Sequence, residues 1–235
     1  MRSRAVDRVL QATLCEIITA MTDSAKQRKT ARILFLAMLA VLAIAAGMWS
    51  ATMILDRQSA LQELEATRFP VARQLAPFEL VDHKNQAFNE TTLRNRWSFL
   101  FFGYTHCPDV CPITLAVLNT VASRLEDVNA DIRFVFVSVD PERDTPEQLA
   151  RFVTYFNGDF IGLTGSKAQI EQFTRDLGVM HMRVAAEENA AGYLVDHTAS
   201  VFLIDPDGRY HAVFSPPLAV DAITADFRKI LKAYR

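Results

Sequence analysis

The chain is 235 residues long, half of them apolar, with 25 basic and 27 acidic side chains and a formal charge of −2. That length fits one domain with an extension, and the missing basic excess argues against a nucleic-acid partner. Eight glycines and nine prolines exclude a low-complexity chain, and three cysteines exclude a disulfide-framework miniprotein.

Composition changes sharply along the chain. Residues 33–55 (ILFLAMLAVLAIAAGMWSATMIL) carry no charge between Arg32 and Asp56. As a helix, such a stretch extends about 34 Å, enough to span a bilayer, and it exceeds the 7–15 apolar residues usual in a cleavable signal peptide. Residues 1–32 hold seven Lys/Arg against three acids, whereas 56–235 hold 18 basic and 24 acidic residues. The positive-inside rule therefore keeps the N-terminus inside and exports the remainder. The expected plan is an inner segment (1–32), a transmembrane anchor (33–55), a stalk (56–74) and a folded domain (75–235). Met21 offers an alternative start. A bacterial inner membrane with a periplasmic domain is the favoured location. A mitochondrial inner membrane with the domain in the intermembrane space is the alternative, disfavoured by Asp7, Glu16 and Asp23 in a would-be transit peptide. Cys15 falls on the inner side and only Cys107 and Cys111 reach the exported domain.

That domain alternates strands and helices. Phe78–Val81 reads as a short strand before the polar turn Asp82–Asn85. Trp97–Tyr104 (WSFLFFGY) is a continuous apolar run, as in a strand buried on both faces. A helix follows with Leu118, Val121, Ala122 and Leu125 on one face, then a second buried strand, Ile132–Val139. Thr145-Pro146-Glu147-Gln148 and Ser166–Gln169 read as capping boxes opening two further helices, the second stopped by Gly178. Ser200–Ile204 and Tyr210–Phe214 form a hairpin around Asp205-Pro206-Asp207-Gly208, and a last helix buries Ile223, Phe227, Ile230, Leu231 and Tyr234. This order predicts an α/β, thioredoxin-like domain, a central mixed sheet flanked by helices.

The chemistry concentrates in Cys107-Pro108-Asp109-Val110-Cys111. A cysteine pair between a central strand and a helix N-terminus is favoured as thiolate, and the i, i+4 spacing lets both sulfurs converge on one atom. Two soft sulfurs make an incomplete metal site, so a third donor is sought among five histidines. His83 sits in a solvated turn, His211 on a hairpin strand and His181 in a polar connection. His106 adjoins Cys107, and consecutive side chains diverge. His197 precedes the strand Ser200–Ile204, in a loop that a thioredoxin-like fold lays against the cysteine helix. No proline stands in His197-Thr198-Ala199-Ser200, where thiol reductases carry a cis-proline. Two thiolates and an imidazole suit Cu(I) and also accommodate Cu(II), whereas structural zinc wants a fourth ligand. Asp109 is expected to cap the helix and Asp196 is a candidate to orient His197. Asp140–Asp144 reads equally as a solvated turn or a docking surface.

Four segments, FFGYTHCPDVCPITL, VSVDPERDTPEQLARFV, FIGLTGS and YLVDHTASVFLIDPDG, together resemble the Sco/SenC family of membrane-anchored copper proteins. The resemblance runs from about Leu75 to the C-terminus. It implies a thioredoxin-like fold and one copper per chain held by Cys107, Cys111 and His197. It also implies a non-enzymatic metallochaperone role at the binuclear copper site of cytochrome c oxidase. The implied partners are the copper-bearing oxidase subunit and a copper donor protein. Two other functions fit the same residues: a thiol–disulfide oxidoreductase in which Cys107 attacks and Cys111 resolves, and a redox or copper sensor.

Overall fold

The computed structural model describes residues 36, 38–53, 64–185 and 193–234, so residues 1–32, with Cys15, lie outside it. The chain divides into two compact units, Met1–Ser59 and Ala60–Arg235. In the first, residues 38–53 are helical with exposed side chains. No helix among the described residues is long and apolar enough to cross a membrane. The span expected over 33–55 runs past that helix at both ends, into residues outside the described ones.

The second unit is built on an eight-stranded mixed sheet. Its strands are β1 (Thr67–Gln74), β2 (Glu79–Asp82), β3 (Ala87–Asn89), β4 (Trp97–Gly103), β5 (Ile132–Ser138), β6 (Ile161–Thr164), β9 (Val201–Ile204) and β10 (Arg209–Phe214). A separate two-stranded ribbon joins β7 (His181–Ala185) to β8 (Tyr193–His197). The helices are α1 (Val110–Arg124), α2 (Pro146–Phe156), α3 (Lys167–Leu177) and α4 (Val220–Tyr234). The sheet order is β1-β10-β9-β4-β5-β6-β2-β3. Strands β4, β5 and β6 are parallel, and β9 closes antiparallel on β4.

Every residue of β4 is buried because helices cover both of its faces. Phe99 and Phe101 point to one side, where they pack with Leu115 and Leu118 of α1, Leu149 and Val153 of α2, and Phe227 and Ile230 of α4. Leu100 and Phe102 point to the other, against Ile170, Phe173 and Leu177 of α3 and Val195 of β8. This alternation within an unbroken apolar run is what a doubly covered strand requires. Both capping boxes form: Thr145 and Ser166 each accept from the backbone N–H three residues on, and Gln148 and Gln169 return the bond. Gly178 ends α3 in the left-handed conformation, with φ 74°.

Three features differ from expectation. Residues 67–74, read as the end of the stalk, form β1 and pair with β10. The segment around FIGLT supplies β6, a strand of four residues that periodicity leaves invisible. The polar connection expected at His181 is the first residue of β7, and His197 ends β8 instead of lying in a loop.

Candidate metal centre

Strands β4 and β5 run in register, from Trp97↔Ile132 to Gly103↔Ser138, so their C-terminal ends finish flush. Ligand sites of parallel sheets form at this edge. The chain leaves β4 at Gly103 and turns through Tyr104–Asp109 into α1, placing Cys107 just before the helix and Cys111 in its first turn. The Cys111 N–H points at Cys107 Sγ at 3.5 Å. Cys111 is fully buried and Cys107 half-buried, and neither is in a disulfide. Gly103 makes this approach possible: a β-carbon there would stand 2.6 Å from Cys111 Sγ and 2.8 Å from Cε2 of Phe136.

The third donor arrives on the ribbon. His197 Nε2 lies 3.5 Å from Cys111 Sγ. Its Nδ1 lies 3.2 Å from the Thr198 carbonyl, which assigns the proton to Nδ1 and leaves the Nε2 lone pair facing the sulfurs. Phe101 and Tyr104 stand edge-on to the imidazole, with centroids at 5.9 and 6.1 Å. The donor atoms of Cys107, Cys111 and His197 all lie within 4.8 Å of one another. They form the one such cluster of His, Cys and acidic side chains among the described residues.

The two thiols are driven apart in acidity. The Cys111 thiol donates to Cys107, and with smaller help from the Asp109 and Cys111 backbone this holds Cys107 well below the ordinary thiol range against the cost of burial. The same hydrogen bond, together with burial and the neighbouring negative sulfur, pushes Cys111 far up. The sequence predicts acidification at both sulfurs; the coupling between them pushes Cys107 down and Cys111 up.

The segment Asp140–Asp144 is a turn that exposes Glu142, but the aspartates at its two ends are fully buried. Asp144 accepts from the Thr105 N–H at 3.0 Å, Thr105 Oγ1 at 2.6 Å and Ser138 Oγ at 2.6 Å, tying the metal loop to β5. Asp140 accepts from Arg143 Nε and, at 2.7 Å, from the Tyr193 hydroxyl. Arg143 also donates to the Tyr193 carbonyl at 3.1 Å and lies over the Tyr193 ring at 3.8 Å. The ribbon bearing His197 is thus clamped to the loop after β5. Sequence periodicity could not find these groups, since charged residues read as surface.

Other candidates separate from the site. Asp109 occupies the N-cap position of α1 but makes no side-chain cap bond. Asp196 is exposed, and the His197 ring takes the Thr198 carbonyl in its place. His106 Nδ1 lies beside Thr105 Oγ1 and 3.7 Å from Asp144. His83, expected to be solvated, accepts the Gly162 N–H at 3.1 Å and pins β6, and burial lowers its pKa. His211 is buried edge-on to Trp97, near Asp205.

Two thiols and an imidazole at the C-terminal edge of a thioredoxin-like sheet define a protein that presents soft donors on a redox-type scaffold. The family model described as SCO1/SenC matches residues 68–232. A SCO2-like protein of Rickettsia prowazekii is 38% identical over 152 residues, covering 65% of this chain and 74% of the relative. The mitochondrial SCO2 homolog of Bos taurus is 35% identical over 182 residues, covering 77% and 68%. The crystal structure of Arabidopsis thaliana ScoI with copper bound superposes with a TM-score of 0.64 at 34% identity, over 67% of this chain and 98% of that one. Bradyrhizobium japonicum ScoI with copper bound gives 0.60 at 33%, over 66% and 98%. The chain belongs to the SCO1/SenC family.

Proposed function

We propose that this protein is a copper metallochaperone and not an enzyme: it holds one copper through Cys107, Cys111 and His197 and passes it by ligand exchange to a partner. The observation that carries this reading is the convergence of two sulfurs and the unprotonated imidazole nitrogen within 4.8 Å. Two soft thiolates and one imidazole favour Cu(I) and accept Cu(II). The copper bound in the Arabidopsis and Bradyrhizobium ScoI structures supports the same choice of metal. The destination is the copper-bearing subunit of cytochrome c oxidase, at its binuclear copper site, and a separate donor protein supplies the ion. Residues 33–55 anchor the chain in a bacterial inner membrane, with the N-terminus cytoplasmic and the copper domain periplasmic. The support for this placement is the uncharged 23-residue run and the basic excess before it.

The testing experiment is anaerobic Cu(I) titration of the reduced full chain in detergent against a competing chelator. One tight equivalent, lost in Cys107→Ser and strongly weakened in His197→Ala, is expected. Equal affinity with and without His197 would leave only a dithiol and overturn the three-donor site.

A second reading has its own observation. A half-buried Cys107 held as thiolate beside a buried, protonated Cys111 matches the attacking and resolving pair of a thiol–disulfide oxidoreductase. Exchange by that route survives His197→Ala, whereas copper retention does not.

A further inference from the structure

One turn reaches both halves of the metal centre. Asp144, at the end of the turn after β5, fixes the loop that runs into Cys107. Asp140, at its start, holds the other half. No backbone ladder joins the β7–β8 ribbon to the main sheet, so the placing of β8 against the cysteines falls to side chains. A two-stranded ribbon is too weak a unit to keep a fixed position unaided. Strand alternation sets Tyr193, Val195 and His197 on one face of β8. That face looks onto the domain, since Val195 is buried and Tyr193 packs against the same core cluster. Tyr193 holds its far end. The Tyr193 hydroxyl donates to the buried Asp140 at 2.7 Å. Two guanidiniums lie over its ring, Arg143 at 3.8 Å and Arg183 at 4.6 Å from the centroid. The turn holds each guanidinium in its place, as Arg143 Nε donates to Asp140 and Arg183 pairs with Glu142 at 2.7 Å. Four residues further on, about 13 Å along an extended strand, β8 ends at His197, whose Nε2 stands 3.5 Å from Cys111 Sγ.

A phenylalanine would fill the same space at position 193. What the hydroxyl adds is one directional bond to a carboxylate that the fold holds rigid, and such a bond fixes the height of the strand, not its buried area. We propose that Tyr193 is a positioning residue for the metal centre: its bond to Asp140 holds β8 where His197 Nε2 meets the two sulfurs, and the hydroxyl raises copper affinity only through that imidazole. This rests on the copper reading above and adds the group that places the third donor. The turn Asp140–Asp144 is then the common frame of the centre, with the sulfur loop fixed at one end and the imidazole strand at the other.

The test is a double-mutant cycle on the reduced full chain in detergent, with Cu(I) affinity read anaerobically against a competing chelator. Tyr193→Phe keeps the ring under the guanidiniums and removes only the hydroxyl. It is expected to weaken Cu(I) binding about tenfold or more, as loss of an outer partner does at other metal sites. In the His197→Ala background the same substitution should change affinity by less than about twofold, because the group it acts through is gone. Unchanged affinity in Tyr193→Phe overturns the proposal. An equal loss in both backgrounds also overturns it, assigning Tyr193 to the fold alone. A second measurement needs no copper. In the reduced apoprotein with labelled histidine, Tyr193→Phe should move the His197 ring resonances and leave those of His83 and His211 in place, and an unmoved His197 overturns the proposal. Failure of the copper reading shows separately, as equal affinity of the wild type and His197→Ala, and the histidine resonances then still decide whether Tyr193 places the ring.

Discussion

His197 Nε2 lies 3.5 Å from Cys111 Sγ across 86 positions of sequence, and the other ring nitrogen is committed to the Thr198 carbonyl. The backbone therefore sets both the ring's direction and its tautomer, so the free lone pair is ready for a metal. Removing the ring in His197→Ala is expected to weaken Cu(I) binding by more than about 100-fold, beyond what loss of an orienting partner costs at a metal site. The half-buried ring fills little of the core, so thermal unfolding of the reduced apoprotein should change little. Chelator competition measures the first effect and near-ultraviolet circular dichroism the second. Unaltered affinity would remove His197 from the ligand set.

Gly103 is required by proximity, not by turn geometry. A methyl group there would meet Cys111 Sγ at 2.6 Å and Phe136 at 2.8 Å, and both neighbours lie in the close-packed core. Gly103→Ala is expected to destabilise the domain by about 1–3 kcal/mol through overpacking and to push Cys111 away from His197. Copper affinity should therefore fall although no ligand has been changed. A variant with unchanged stability and unchanged affinity would show that the loop yields freely, against this account.

The hydrogen bond between Cys107 and Cys111 drives their acidities apart, down at Cys107 and up at the buried Cys111. The sign follows from the direction of each shift. Cys107, lowered by the Cys111 thiol, stays a thiolate as pH falls from the ordinary thiol range, and loses that character only below its depressed value. Cys111, raised by the same bond and by burial, stays protonated across the same interval. Iodoacetamide should therefore modify Cys107 alone, at a rate that is nearly flat from about pH 8 to pH 6. Peptide mapping with a rate profile checks this. A tenfold fall per pH unit, or modification of Cys111 first, would contradict it.

What the sequence discloses about this fold depends on how each element is buried. WSFLFFG announces β4 because helices cover both faces and leave no polar position. Thr145 and Ser166 announce α2 and α3 because capping boxes are local chemistry. β1 carries Arg68, Arg73 and Gln74 at the edge of the sheet, so its sequence looks like stalk. The ribbon is polar and held from outside by Arg143 and Asp140, which grip its Tyr193, so no periodicity marks it. The three candidate ligands were legible as residue types, and His197 as the third donor only with the family resemblance. The supports were not legible: Gly103 acts through one interatomic approach, and Asp140 and Asp144 are charged residues that only the tertiary fold buries.

Asp144 is the support whose role can be separated from general stability. Fully buried, it takes the Thr105 N–H, Thr105 Oγ1 and Ser138 Oγ, and thereby fixes the loop running into Cys107. Asp144→Ala removes the shared acceptor of the buried Ser138 hydroxyl and the half-buried Thr105 N–H and hydroxyl, and should destabilise the domain by about 1–3 kcal/mol. Loss of stability alone does not establish a link to the metal, so a matched control is needed. Arg209 pairs with the buried Asp205 at the β9–β10 turn, a different cluster from the one that holds the Cys107 loop. Arg209→Ala also leaves a buried carboxylate short of its partner and should lower the unfolding midpoint while sparing copper affinity. Asp144→Ala should lower both, measured well below either variant's melting temperature, because the Thr105–Cys107 segment loses its anchor. If the two variants lose copper affinity in equal proportion to their stability, Asp144 serves the fold and not the ligand geometry.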